Sequence, residues 1–170
     1  LDILKEGIDS LEGAGVDFAL MASNTPHMFF EEIQEYSSVP LISIAVETSK
    51  TALEKEYQKV GLLGTKATMT GDFYEKEFEK RDIQVVTPTE DEMEYIDEKI
   101  FDEITEGMFL EETKQELIDI IERLVRDEDI DAVVLGCTEL PLVIKSEDLD
   151  IPILDTTGIH SERAVEFAIS

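Results

Sequence analysis

Short apolar runs alternate along this chain with longer stretches in which apolar residues recur every three or four positions, and the alternation continues from end to end. The runs at 17–22, 40–43, 59–63, 83–86, 131–136 and 152–155 predict β-strands, because they are too short for stable helices. The stretches at 2–13, 25–36, 45–57, 67–80, 89–106, 110–126, 138–143 and 158–168 predict helices. Between Glu111 and Asp129, for example, Leu117, Ile120, Ile121, Leu124 and Val125 form one apolar stripe, with the charges on the remaining faces. Apolar strands alternating with helices imply mainly parallel sheets covered on both faces, an α/β fold. No segment is repetitive or of low complexity.

Two strand ends carry the residues with chemical potential. The run Ala132 to Leu135 is followed by Gly136-Cys137-Thr138-Glu139-Leu140, which places the only cysteine of the chain where a buried strand becomes a helix. Backbone N–H groups and the positive end of a helix dipole at such a turn lower a thiol's pKa and also bind carboxylates. The alternative is an inert, buried small hydrophobe, the ordinary fate of a lone cysteine. The segment from Val16 to His27 repeats the plan: an apolar run, then Ser23-Asn24-Thr25-Pro26, with Pro26 suited to a first helical turn. Two such turns predict two related half-sites.

Composition narrows the partners. Against 14 basic residues stand 41 acidic ones, a formal charge of −27, which disfavours nucleic acid and anionic membranes as partners. One cysteine excludes an internal disulfide, and no apolar stretch reaches the roughly 18 residues of a membrane span. The expectation is a soluble, cytoplasmic protein whose partner is a small molecule.

With the motifs Ala22-Ser23-Asn24-Thr25-Pro26-His27 and Gly136-Cys137-Thr138-Glu139-Leu140 in view, the chain resembles the aspartate/glutamate racemase family. The resemblance extends to Gly61-Leu62-Leu63-Gly64-Thr65-Lys66-Ala67-Thr68 and to Asp155-Thr156-Thr157-Gly158-Ile159-His160, in the family's order. It implies two pseudo-symmetric lobes with the active site in the cleft between them, residues 1–39 plus 151–170 forming the first lobe and 40–150 the second. It also implies an earlier strand and glycine-rich turn, so that the chain is expected to be the later part of a longer protein with an incomplete first lobe. A homodimer is expected as well.

The activity implied is racemisation of an amino acid, aspartate or glutamate, with neither pyridoxal phosphate nor metal. Such a reaction removes the α-hydrogen from one face and returns a proton to the other, so a base and an acid must stand on opposite sides of one carbon. The family uses two thiols; here Cys137 fits one place and Ser23 occupies the other. Asn24, Thr25 and Pro26 would then meet the substrate's α-carboxylate, although capping is the commonest role of Asn and Thr at a helix start. Thr65 and Thr68 either cap a helix or bond a carboxylate. Thr138 and Glu139 either compensate a helix dipole or hold the substrate, Glu139 through its ammonium. His27 and His160 lie in helix starts, where structural roles are the commoner ones, although His160 fits the family pattern and so stands as a possible site residue. A basic residue usual in acid-specific members is replaced by Glu106, and Lys99, two turns back on the same face, is the candidate substitute. Two alternatives stand beside the racemase: a one-cysteine enzyme of the decarboxylase or isomerase type, and an inactive amino-acid or carboxylate-binding homologue.

Overall fold

Two parallel sheets organise the chain, which the computed structural model describes over residues 1–170. Ala19–Leu20 (β1) pairs with Leu41–Ile42 (β2). Lys59–Gly64 (β3), Gln84–Val86 (β4), Ala132–Gly136 (β5) and Ile153–Asp155 (β6) form a four-stranded sheet in the order β4-β3-β5-β6. The register of β3 on β5 runs from Val60 opposite Ala132 to Gly64 opposite Gly136, so the two central strands end level.

The helices are Asp2–Gly13 (α1), Phe30–Tyr36 (α2), Ile44–Glu54 (α3), Lys66–Thr70 (α4), Phe73–Glu79 (α5), Glu90–Lys99 (α6), Glu111–Glu128 (α7), Leu140–Val143 (α8) and Thr156–Ile169 (α9). Strand alternation splits the core between the two faces of the larger sheet. Leu63, Val133 and Leu135 pack with Ile96 of α6 and Leu117, Ile121 and Leu124 of α7. Val60, Leu62, Ala132 and Val134 pack with Ala45 and Ala52 of α3 and Tyr74 and Phe78 of α5. Burial on both faces explains why β3 and β5 are continuous apolar runs. No helix is long and apolar enough to cross a membrane.

The α/β class and the parallel pairing agree with the sequence pattern; several boundaries do not. The helix expected at 25–36 begins as a 3₁₀ turn, Thr25–Phe29. The one expected at 67–80 is broken after Thr70, where Gly71 is extended and Asp72 starts the next helix. The one at 89–106 ends as a π-turn, Ile100–Ile104. The first two strands, at two residues each, are shorter than their apolar runs; around the second, Leu41 N donates to Gln34 Oε1 at 2.8 Å and Val39 N donates to Ser37 Oγ at 3.2 Å. The expected grouping of 151–170 with the first segment also needs correction at its start. Strand β6 hydrogen-bonds to β5, with Val134 opposite Leu154, and so belongs to the larger sheet. Helix α9 is shared: it packs on α3, while Phe167 meets Phe18 of the first segment at 4.9 Å between ring centroids.

Candidate active site

Three adjacent strands end side by side, and the residue following each is polar: Thr65 after β3, Cys137 after β5 and Thr156 after β6. The turn from Ser23 to Thr25 bonds to both flanks of this row. Thr25 Oγ1 lies 3.1 Å from Thr65 Oγ1 and 3.2 Å from Thr68 Oγ1, and Thr65 and Thr68 are 3.0 Å apart, a closed triangle of hydroxyls. Asn24 Nδ2 donates to Thr156 Oγ1 at 3.2 Å, and Thr156 Oγ1 donates to Leu135 O at 2.8 Å. Because β5 lies between β3 and β6, a turn anchored at both spans the end of the strand that bears Cys137.

His27 braces this turn from behind. Ile44 N donates to its Nε2 at 3.1 Å, which makes that nitrogen the acceptor and leaves the proton on Nδ1 to be donated to Ser23 O at 2.8 Å. Burial pushes the imidazole down to about 4, so it is neutral near pH 7. His160 donates from Nε2 to Ile42 O at 2.8 Å and meets His27 edge-on at 5.8 Å. His27 thus holds the start of α3 to the turn, and His160 ties β2 to α9. The Ser23 side chain is exposed, whereas Asn24 is only 3% exposed. Pro26 sits at the start of the 3₁₀ turn.

Cys137 is 7% exposed, and its Sγ donates to Glu139 Oε2 at 3.0 Å. The same carboxylate oxygen accepts from Thr138 Oγ1 at 2.6 Å. The expected lowering of the thiol pKa is overturned: burial, reinforced by the hydrogen bond and charge of Glu139, pushes the thiol up to about 12. The backbone N–H groups of Glu139 and Leu140 do pull the other way. They are outweighed because α8 starts only at Leu140 and is four residues long, too short for an appreciable dipole. Partial burial works against the Glu139 carboxylate, but the bonds from Thr138 and Cys137 hold it below the usual range.

Other candidates divide. Thr65 caps α4, its Oγ1 accepting from Thr68 N, and so serves both helix and triangle. Lys99 is drawn away from the row: its ammonium pairs with Glu103 and lies 5.5 Å above the Tyr95 ring. The start of α9 is closed by its own Asp155, whose Oδ1 accepts from Thr157 N and Gly158 N. Thr156 was not among the sequence candidates, though its place directly after a strand matches that of Thr65 and Cys137. Tyr74, which bonds Asn24, carries no local signal at all. A cavity of about 140 Å³ beside His27 and Phe73 and a groove of about 470 Å³ beside Arg163 are lined by neither Cys137 nor Ser23.

A thiol at the end of a central parallel strand, crossed by a second polar turn from a distant segment, is the site plan of an α/β enzyme. Residues 2–164 match the Asp/Glu/Hydantoin racemase family, and the chain belongs to it. The broad specificity amino-acid racemase RacX of Bacillus subtilis (strain 168) is 28% identical over 160 residues, covering 94% of this chain and 68% of that relative. The chain spans only about half the length of glutamate racemases that it also matches, 52% and 50% for two of them. Among solved structures, an aspartate racemase homologue from Pyrococcus horikoshii OT3 superposes with a TM-score of 0.89 at 38% identity, covering 99% of this chain and 74% of that one. The aspartate racemase of Picrophilus torridus gives 0.74 at 26% identity, covering 98% and 68%. Family membership supports an amino-acid racemase, an isomerase.

Proposed function

We propose that this chain carries the α-carbon chemistry of an amino-acid racemase that works without pyridoxal phosphate and acts on aspartate or glutamate. The observation that supports this reading is the Ser23–Thr25 turn bonded to both flanks of the strand that ends at Cys137. One reacting group on each side of a bound α-carbon is what inversion requires. Cys137 becomes a base only when its proton leaves, and the acceptor in place is Glu139 Oε2 at 3.0 Å. The resulting thiolate takes the α-hydrogen, and the carbanion is reprotonated from the Ser23 side. The backbone of Asn24 and the hydroxyls of Thr25, Thr65, Thr68 and Thr138 are the polar groups offered to the substrate's α-carboxylate. Wash-in of deuterium at Cα, followed by NMR with each enantiomer of aspartate, glutamate and a panel of neutral amino acids, tests the reading. Absence of wash-in with every one of them, or activity only on adding pyridoxal phosphate, sinks it.

A second reading rests on the protonated state of Cys137. A thiol held up to about 12 is a proton donor rather than a base, and a single donor suffices to quench an enolate left by loss of carbon dioxide. Release of carbon dioxide from a malonate-type diacid, with no α-hydrogen exchange in amino acids, would favour it over racemisation.

A further inference from the structure

Tyr74 is 0% exposed, and its hydroxyl donates to Asn24 Oδ1 at 2.5 Å. That bond decides which way the amide faces: with Oδ1 turned to Tyr74, Nδ2 is presented to Thr156 Oγ1, which in turn donates to Leu135 O. An unbroken line of hydrogen bonds therefore runs from α5, on one face of the sheet, through the Ser23–Thr25 turn to the backbone of β5 two residues before Cys137. Tyr74 donates to Asn24, Asn24 to Thr156 and Thr156 to the backbone, and the Thr48 and Thr156 hydroxyls also lie against the Tyr74 oxygen, so the phenol is embedded in a connected polar network.

Packing alone does not call for this hydroxyl. The Tyr74 ring sits between Phe73 and Phe78, with centroids 5.1 and 6.1 Å away, where a phenylalanine would fill the same volume. Burying a phenol costs free energy unless it finds a partner, and burial drives its ionisation well above the ordinary range. The partner it finds is Asn24, next to Ser23. We infer that Tyr74 is a positioning residue, whose hydroxyl orients Asn24 and so holds the Ser23 turn across from Cys137. The inference rests on the racemase reading above.

Tyr74→Phe removes one oxygen atom and leaves Asn24 Oδ1 without its donor. Loosening the turn separates two processes that a racemase normally couples. Cys137 still takes the α-hydrogen, trades it with solvent and returns a deuteron to the same face, whereas inversion needs the Ser23 side in register. The expected result is a ratio of racemisation to α-deuterium wash-in lowered roughly tenfold. Amide hydrogen exchange should also become faster at His27, whose N–H donates to Asn24 O at 3.0 Å and closes the turn, and stay unchanged at Val133–Leu135. A loss of folded protein lowers racemisation and wash-in in proportion, and that outcome overturns the assignment, as does a His27 amide that exchanges at the wild-type rate. Thr156→Ala breaks the same line from its other end and is expected to reproduce both effects, which keeps the test open if Tyr74→Phe folds poorly. A wild-type chain that exchanges no α-hydrogen refutes the racemase reading and the catalytic half of this assignment; the amide measurement then still decides whether Tyr74 holds the turn.

Discussion

Gly64 and Gly136 face each other at the ends of β3 and β5 so closely that a Cβ on Gly64 would stand 2.7 Å from Gly136 O. The Thr68 methyl group fills what space remains, 3.1 Å from that same Cβ position. This approach sets Thr65 beside Cys137. Gly64→Ala should cost about 1–3 kcal/mol, because the obstruction is backbone and cannot rotate away. Urea unfolding gives the number, and a variant as stable as wild type would show that the strand ends have room.

The thiol should be sluggish. With Cys137 held up to about 12, iodoacetamide should alkylate it slowly at pH 8, followed by mass spectrometry. Glu139→Gln removes the negative charge but keeps the backbone N–H groups that favour a thiolate, so alkylation should speed up. An unchanged or slower rate in the variant would mean that Glu139 does not restrain the thiol.

His27 makes stability depend on pH. The folded chain protonates it only near 4, whereas an unfolded chain does so near 6.5. As pH falls through that interval the unfolded state binds the extra proton, so stability drops there and the loss levels off below about 4. The full effect is on the order of 3 kcal/mol, mostly from burial. Comparing urea midpoints at pH 7 and 4.5 in wild type and His27→Gln isolates it from the carboxylates. Equal pH slopes in the two proteins would contradict the assignment.

The hydroxyl triangle predicts a contrast at one position. Thr25→Val removes the group that meets both Thr65 and Thr68, and should cost about 1 kcal/mol in stability. It should also weaken substrate affinity under the proposed function. Thr25→Ser keeps the oxygen and should lie close to wild type in both measurements. If valine matches wild type and serine is the impaired variant, the methyl group rather than the hydroxyl matters at Thr25.

How much of this was legible beforehand depended on range. The 3.6-residue stripe of α7 and the apolar runs of β3 and β5 are local signals, and they placed the elements and the α/β class correctly. Cys137 and Ser23 stood out because each follows a strand, and the family motifs named their neighbours. The pKa of Cys137 was misjudged because it is set by burial and by the direction of the Glu139 side chain, and neither is written in the spacing. Lys99 looked available on its helix face, yet Glu103, one turn further on, takes its charge. Tyr74 lies 50 positions from Asn24, and nothing in either local sequence announces the bond. The pairing of β6 with β5 was missed for the same reason, since the family plan rather than a local pattern supplied the grouping.

The central pairing of β3 with β5 joins segments 72 positions apart, as in the contact of Lys59 with Asp131. Closing so long a loop is slow relative to forming the helices within it, so strand docking sets the folding time. Until that docking occurs, Cys137 has neither its buried setting nor the Ser23 turn across it. During synthesis and refolding the thiol passes through a stage of ordinary reactivity, and the native sheet is what afterwards protects the sulfur from oxidants.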